Sequence, residues 1–163
     1  MSEILILYYS RNGSVEHLAN MIARGVAEAG SVARLRTVPA VSPNHVATEA
    51  AVPDSGAPFV TKQDLAECSG LIVGSPTRFG NMAAPMKYFW DNTGAEWASG
   101  TLVGKAAGVF TSSASMHGGQ ESTLLSMMLP LLHHGCLLVG VPFTESALSN
   151  TQTGGTPYGA SHV

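Results

Sequence analysis

The chain has 163 residues, 45% of them hydrophobic and only 12% charged, with a formal net charge of −3 at pH 7. That length suits a single domain, residues 1–163, with a core large enough to need no staples. Its eight Lys and Arg residues are scattered, which argues against a nucleic-acid footprint, and no apolar run approaches membrane-spanning length.

Cys68 and Cys136 lie far apart and fit neither a CxxC redox pair nor a zinc pattern. Both adjoin apolar runs and read as buried thiols of a reducing compartment, so a cytoplasmic protein is expected. The apolar run at 4–7 is too short for a secretory leader.

Residues 4–9 (ILILYY) have the length and the β-branched and aromatic content of a strand buried on both faces. A polar loop follows at once, Ser10-Arg11-Asn12-Gly13-Ser14. From Val15 the apolar positions Leu18, Ala19, Ile22, Ala23 and Val26 repeat at helical spacing. Such a turn points orphan N–H groups and the positive end of a helix dipole at one spot, which suits an anion, above all a phosphate. The plainer alternative is an ordinary turn capped by Ser14.

Residues 32–38 (VARLRTV) alternate apolar and basic side chains and predict an edge strand with one wet face. Residues 39–63 are rich in Pro, Ala and Ser and lack a period, which predicts a long irregular excursion before a short helical piece at 64–68. Residues 70–75 (GLIVGS), 106–113 (AAGVFTSS) and 136–141 (CLLVGV) read as further strands, with helical patterns at 82–91 and 121–133. Five strands alternating with helices predict an α/β fold with a parallel sheet. Nothing helical is read in 142–163, so a closing C-terminal helix on one face of the sheet is expected to be absent from this chain.

Ligands of open parallel sheets bind beyond the carboxyl ends of the strands, where the strand order reverses. Three polar, glycine-bearing segments follow the first, third and fourth strands: 10–14, 75–81 (SPTRFGN) and 112–119 (SSASMHGG). Neither GxGxxG nor GxxxxGK[ST] occurs, which sets aside P-loop phosphoryl transfer and a Rossmann dinucleotide site. A mononucleotide remains, with flavin mononucleotide (FMN) the natural candidate. GxSxG is also absent, so a hydrolase elbow carries little weight. His133 and His134 are adjacent and lack companion ligands, so no metal site is expected. His134 reads as a helix-end residue complementing the dipole before Gly135, and Met127, Met128, Leu129 and Leu132 read as packing residues.

SRNGSVE after the first strand, GSPTRFGNM, TGAEWASG, the loop ending HGGQE, LLHHG and GGTPYGA occur in that order. Together they resemble the flavodoxin-like NAD(P)H:quinone oxidoreductases, the family also called tryptophan-repressor-binding-protein-like (WrbA-type). The resemblance runs from Ile4 to the last residue, and PTRFGNM and GGTPYGA are its most distinctive pieces. It implies a flavodoxin-like doubly wound five-stranded parallel sheet that binds FMN.

By that resemblance Ser10, Arg11, Asn12, Gly13, Ser14 and Val15 form the phosphate loop. Pro76, Thr77, Arg78, Phe79 and Gly80 line the isoalloxazine. Ser112, Ser113, Ala114, Ser115, Met116, His117 and Gly118 meet the ring edge and ribityl chain. His133 is the implied catalytic residue over the redox-active face. Trp97 is the implied wall of the substrate pocket, contributed across an interface of a homotetramer built as a dimer of dimers. The implied activity is that of an NAD(P)H dehydrogenase (quinone), with NADH or NADPH as donor, a small-molecule quinone as acceptor and ping-pong order.

Two other readings stand beside it. One is a flavodoxin-type one-electron carrier, which the modest charge does not favour. The other is a non-catalytic partner of a transcription regulator. The sequence departs from the family pattern at Asn12, where many members carry an aromatic that touches the nicotinamide donor. It departs again at Met116-His117, which is bulkier than an all-glycine loop. Family members also continue past GGTPYGA into a final helix.

Overall fold

The first apolar run sits where a run buried on both faces must sit. In the computed structural model, which describes residues 2–42 and 53–163, β1 (Glu3–Tyr8) lies between β2 (Val32–Thr37) and β3 (Gly70–Arg78), parallel to both. A short β4 (Asn81–Met82) turns back on the end of β3. Next to β3 runs β5 (Ala106–Ser112), whose start pairs with β6 (Leu137–Leu138) and whose end pairs with β7 (Ala160–His162). The main order is β2-β1-β3-β5-β6, so the chain reverses its direction of travel across the sheet between β1 and β3.

Alternation along the strands divides the core into two layers. Ile6, Tyr8 and Phe110 pack with Val15 and Ala19 of α1 (Ser14–Glu28) on one face. Leu5, Leu7, Leu71 and Val109 pack on the other, against Leu65 of α2 (Lys62–Glu67), Met86 of α3 (Ala84–Asp91) and Leu124, Met127 and Leu131 of α5 (Gln120–His133). The expected doubly wound α/β sheet is therefore present. Beside α1 an apolar furrow lined by Ile4, Ile22, Val26, Ile72 and Val139 stays open, and residues 151–163 add β7 but no helix.

Several boundaries differ from the sequence reading, each for a physical reason. The third strand continues to Arg78 because Thr77 and Arg78 pair with Met82 and Asn81. Its hairpin turns through Phe79 and Gly80, at φ of 52° and 76°. The fifth apolar run keeps only Leu137–Leu138 in the sheet: the Val141 N–H bonds to the Pro157 carbonyl instead, and β7 takes the place beside the end of β5. The one-turn helices α4 (Gly94–Ala98) and α6 (Ser146–Asn150) are too short to show a period in the sequence.

Within the predicted excursion at 39–63, positions 43–52 lie outside the described residues. Phe59 bridges to Thr37, and Thr61 caps α2 in a capping box with Asp64, so that helix begins at Lys62. The basic side of β2 is not a wet face. Arg34 binds Glu3, Asp64 and Glu67, and Arg36 binds Asp64, at 2.7–3.1 Å. Both cysteines are buried free thiols. Among the described residues no helix is long and apolar enough to cross a membrane.

Candidate functional site

The first loop leaves its helix uncapped. Gly13 is the N-cap of α1, in the left-handed region at φ 87°, and no side chain accepts from the first-turn N–H groups. This replaces the Ser14-capped alternative. Only glycine takes that φ without strain, and the result is a helix N-terminus whose donors remain free for a ligand. Beside it the Ser10 hydroxyl is buried and has no hydrogen-bond partner among the described residues.

The second loop is nailed down from beneath. Ser75 Oγ accepts from the Ala83 N–H at 2.8 Å, and Thr111 Oγ1 donates to the Ser75 carbonyl at 2.7 Å. The Thr77 and Thr123 hydroxyls meet at 2.6 Å, tying the loop to α5. Gly80 and Gly119 pack backbone to backbone, since a Cβ on Gly119 would stand 2.9 Å from Gly80 Cα. In the third loop the Ser115 carbonyl accepts from Ser113 Oγ, the Gly118 N–H and Gln120 Nε2 at 2.7–3.2 Å. Gln120, Thr123 and Thr111 were not singled out from the sequence; for Gln120 and Thr123 the available signal was the polar start of an otherwise apolar helix.

These loops bring most of the predicted cofactor residues into one crevice at the switch point between β1 and β3. Ser10, Arg11, Asn12, Ser14 and Val15 come from the first loop, Pro76, Thr77 and Arg78 from the second, and Ser112, Ser113 and Ala114 from the third. Among the described residues, two guanidinium groups and no carboxylate line it. The remaining predictions fall elsewhere. Phe79 points fully outward at 106% exposure, and Met116 is exposed. Gly80, Ser115, His117 and Gly118 shape the loops rather than line the crevice.

His133 and Trp97 do not reach this crevice within one chain. The crevice adjoins the start of α5 and His133 stands at its end, about 20 Å away along a helix of that length. Both residues instead line a second cavity of about 440 Å³ with Trp90, Thr93, Leu129 and His134. His134 is the C-cap of α5, the helix-end position read from the sequence, but its ring turns into the protein. It is 6% exposed, and its Nε2 lies 2.9 Å from Thr93 Oγ1. Burial holds its pKa below the ordinary imidazole value; Glu96 works against this, and Lys62 and His133 add to it. Leu129 and Leu132, expected to pack inward, are exposed.

The fit to a phosphate-bearing planar ligand can be judged on these residues. An uncapped helix N-terminus, a buried hydroxyl lacking a partner and two nearby cations suit a phosphate monoester dianion. The fixed polar loops beside it offer edges for a flat ring. Site and sheet together define a flavodoxin-like nucleotide-binding protein.

Comparison with known proteins narrows the class. The chain belongs to the NADPH-dependent FMN reductase family, which it matches over residues 3–145. It is 48% identical over 168 residues to the NAD(P)H dehydrogenase (quinone) of Chromohalobacter salexigens, covering 100% of this chain and 84% of that protein. The protein of the same name from Rhizobium rhizogenes is 46% identical over 166 residues, covering 100% of this chain and 83% of that protein. A flavodoxin, WrbA-like protein from Agrobacterium tumefaciens shares the fold at a TM-score of 0.64 and 24% identity, covering 92% of this chain and 80% of that one.

Proposed function

We propose that this protein is an FMN-dependent NAD(P)H:quinone oxidoreductase. It oxidises NADH or NADPH and reduces a small-molecule quinone to the hydroquinone, the two substrates using one site in turn. The observation that carries this reading is the buried, partnerless Ser10 hydroxyl beside the uncapped start of α1, at the mouth of a three-loop crevice. Relatives at 46–48% identity over the whole chain, named NAD(P)H dehydrogenase (quinone), support the enzyme class.

FMN, when bound, supplies the chemistry of hydride acceptance and two-electron release. The chain supplies its place. The α1 N–H groups, Ser10 and Ser14 hold the phosphate, and Arg11 and Arg78 offset its charge. Thr77, Arg78 and residues 112–114 orient the ring between loops whose hydrogen bonds are already formed, which lowers the entropic cost of reaction geometry. His133 serves as a hydrogen-bonding ring and Trp97 as a wall against the quinone.

Since those two residues stand far from their own chain's crevice, they come from a neighbouring copy, and the active assembly is a homotetramer, a dimer of dimers. In support, Leu125, Leu129 and Leu132 form an exposed apolar stripe on α5 at spacings of four and three, and exposed Trp97 lines the second cavity beside Leu129. The buried free thiols favour a cytoplasmic setting.

Anaerobic mixing of FMN-loaded protein with NADH or NADPH, followed by benzoquinone, tests the reading. Bleaching of the flavin absorbance and rapid recovery are expected. Absence of bleaching with either nucleotide overturns it. Sedimentation analysis tests the assembly: Leu129→Lys should shift the protein toward smaller species and lower quinone turnover.

A further inference from the structure

We infer that His134 is a positioning residue, acting through Thr93 to hold Trp97 in the wall of the second cavity. The inference rests on the reading of Trp97 as part of the substrate pocket. It begins from a chain of hydrogen bonds whose direction the chemistry determines. Thr93 is buried, at 1% exposure, and its hydroxyl has a single proton. The Trp90 carbonyl, 2.7 Å away, is an acceptor only and takes that proton. The contact between Thr93 Oγ1 and His134 Nε2 at 2.9 Å must then be donated by the imidazole. His134 therefore carries a proton on Nε2, burial favours the neutral ring, and Nδ1 is buried without a partner among the described residues.

Thr93 is also the N-cap of α4, and its carbonyl accepts the Trp97 N–H at 2.9 Å. A five-residue helix without a side-chain cap does not hold its own shape, because nucleation is unfavourable and a single turn gains little. Its orientation is therefore borrowed from its anchors. One is the buried pair His134–Thr93. Another is Lys62 of α2, about half exposed, whose Nζ donates to the Asn92 carbonyl at 2.5 Å and pairs with Glu96 at 3.0 Å, and such exposed pairs contribute little. The buried anchor dominates. Trp97 itself is more than half exposed and makes no hydrogen bond through its ring that would fix it independently among the described residues. A shift at Thr93 passes directly to the indole.

The test uses the FMN-loaded full chain and two readouts. The first is hydrogen exchange across 94–100. Thr93→Val, nearly isosteric, and His134→Phe should each speed exchange of the Trp97 amide about tenfold, the change expected for one lost hydrogen bond. His134→Gln, which can place an N–H near the position of Nε2, should restore slow exchange. The second readout is steady-state kinetics: KM for benzoquinone should rise several-fold in the first two variants and return toward the parent value in His134→Gln.

Unchanged exchange in Thr93→Val overturns the inference, and this variant decides the matter if His134→Phe fails to fold. Equal acceleration in His134→Gln also overturns it, since that marks a packing role alone. Trp97→Ala separates the two layers of argument. If it leaves the quinone KM unchanged, the pocket reading fails, while the exchange data still decide whether His134 positions the helix.

Discussion

The Phe110 ring fills the space that a side chain on its cross-strand partner Gly74 would need: a Cβ there would stand 2.1 Å from Phe110 Cζ. The next residues along each strand, Ser75–Pro76 and Thr111–Ser112, lead straight into the crevice, so this pair supports the loops from below. Gly74→Ala is expected to cost about 2–3 kcal/mol in urea unfolding, the usual size of overpacking in a closed core. Adding Phe110→Leu should recover part of that loss, since residues in direct contact are not additive.

Ser10→Ala should move two measurements in opposite directions. Removing a buried hydroxyl that has no partner should stabilise the flavin-free protein by about 1 kcal/mol. The same change should weaken FMN binding roughly tenfold by deleting a phosphate donor. Ser14→Asp, which sets a carboxylate against the dianion, should weaken FMN on the order of a hundredfold with little effect on the flavin-free melting temperature. Equal FMN affinity in both variants, read by flavin fluorescence, would place the phosphate elsewhere.

Acid stability should depend on Asp64. Burial pushes this carboxyl up, but hydrogen bonds from the Thr61 N–H and hydroxyl, and from Arg36 and Arg34, outweigh it and hold the pKa below the ordinary value. The folded pKa lies below the unfolded one, so the contribution is complete above about pH 4 and fades as pH falls through the folded value. Asp64→Asn should be less stable than the parent by about 3 kcal/mol at neutral pH, because two guanidinium groups lose their shared partner. The gap should narrow on acidification below about pH 4. A constant gap across that range would show that another group carries the acid dependence.

Neither thiol should react in the native protein. Burial pushes Cys136 up to about 11, and the neighbouring Cys68 adds to the shift. Cys68 is also raised by burial, with Lys105 partly opposing. An aromatic disulfide reagent at pH 8 should modify no cysteine until denaturant is added, and then both. Reaction within minutes without denaturant would reveal local opening around β6 or the end of α2.

Much of this was written in short-range pattern. The runs at 4–9, 70–75 and 106–113 and the helical stripe from Val15 encode their own periods, and the polar segments between them mark where strands end. Where the pattern misled, long-range contacts had intervened. The run 136–141 is as apolar as any strand here, yet Val141 pairs with Pro157, a partner sixteen residues on that no local period reveals. Arg34 and Arg36 looked solvated because the carboxylates that neutralise them lie on α2 and in β1, remote in sequence.

The amino-acid order alone determined the class of sheet, the three loops at its carboxyl edge and the glycine-led helix start of the first, because φ freedom at glycine and apolar spacing are local properties. Only the tertiary structure decided which members of those loops share a crevice. It also separated His133 and Trp97 from that crevice by the length of α5 and turned His134 inward onto Thr93. Distances across the molecule depend on how helices pack on the sheet, and packing is a property of many residues at once.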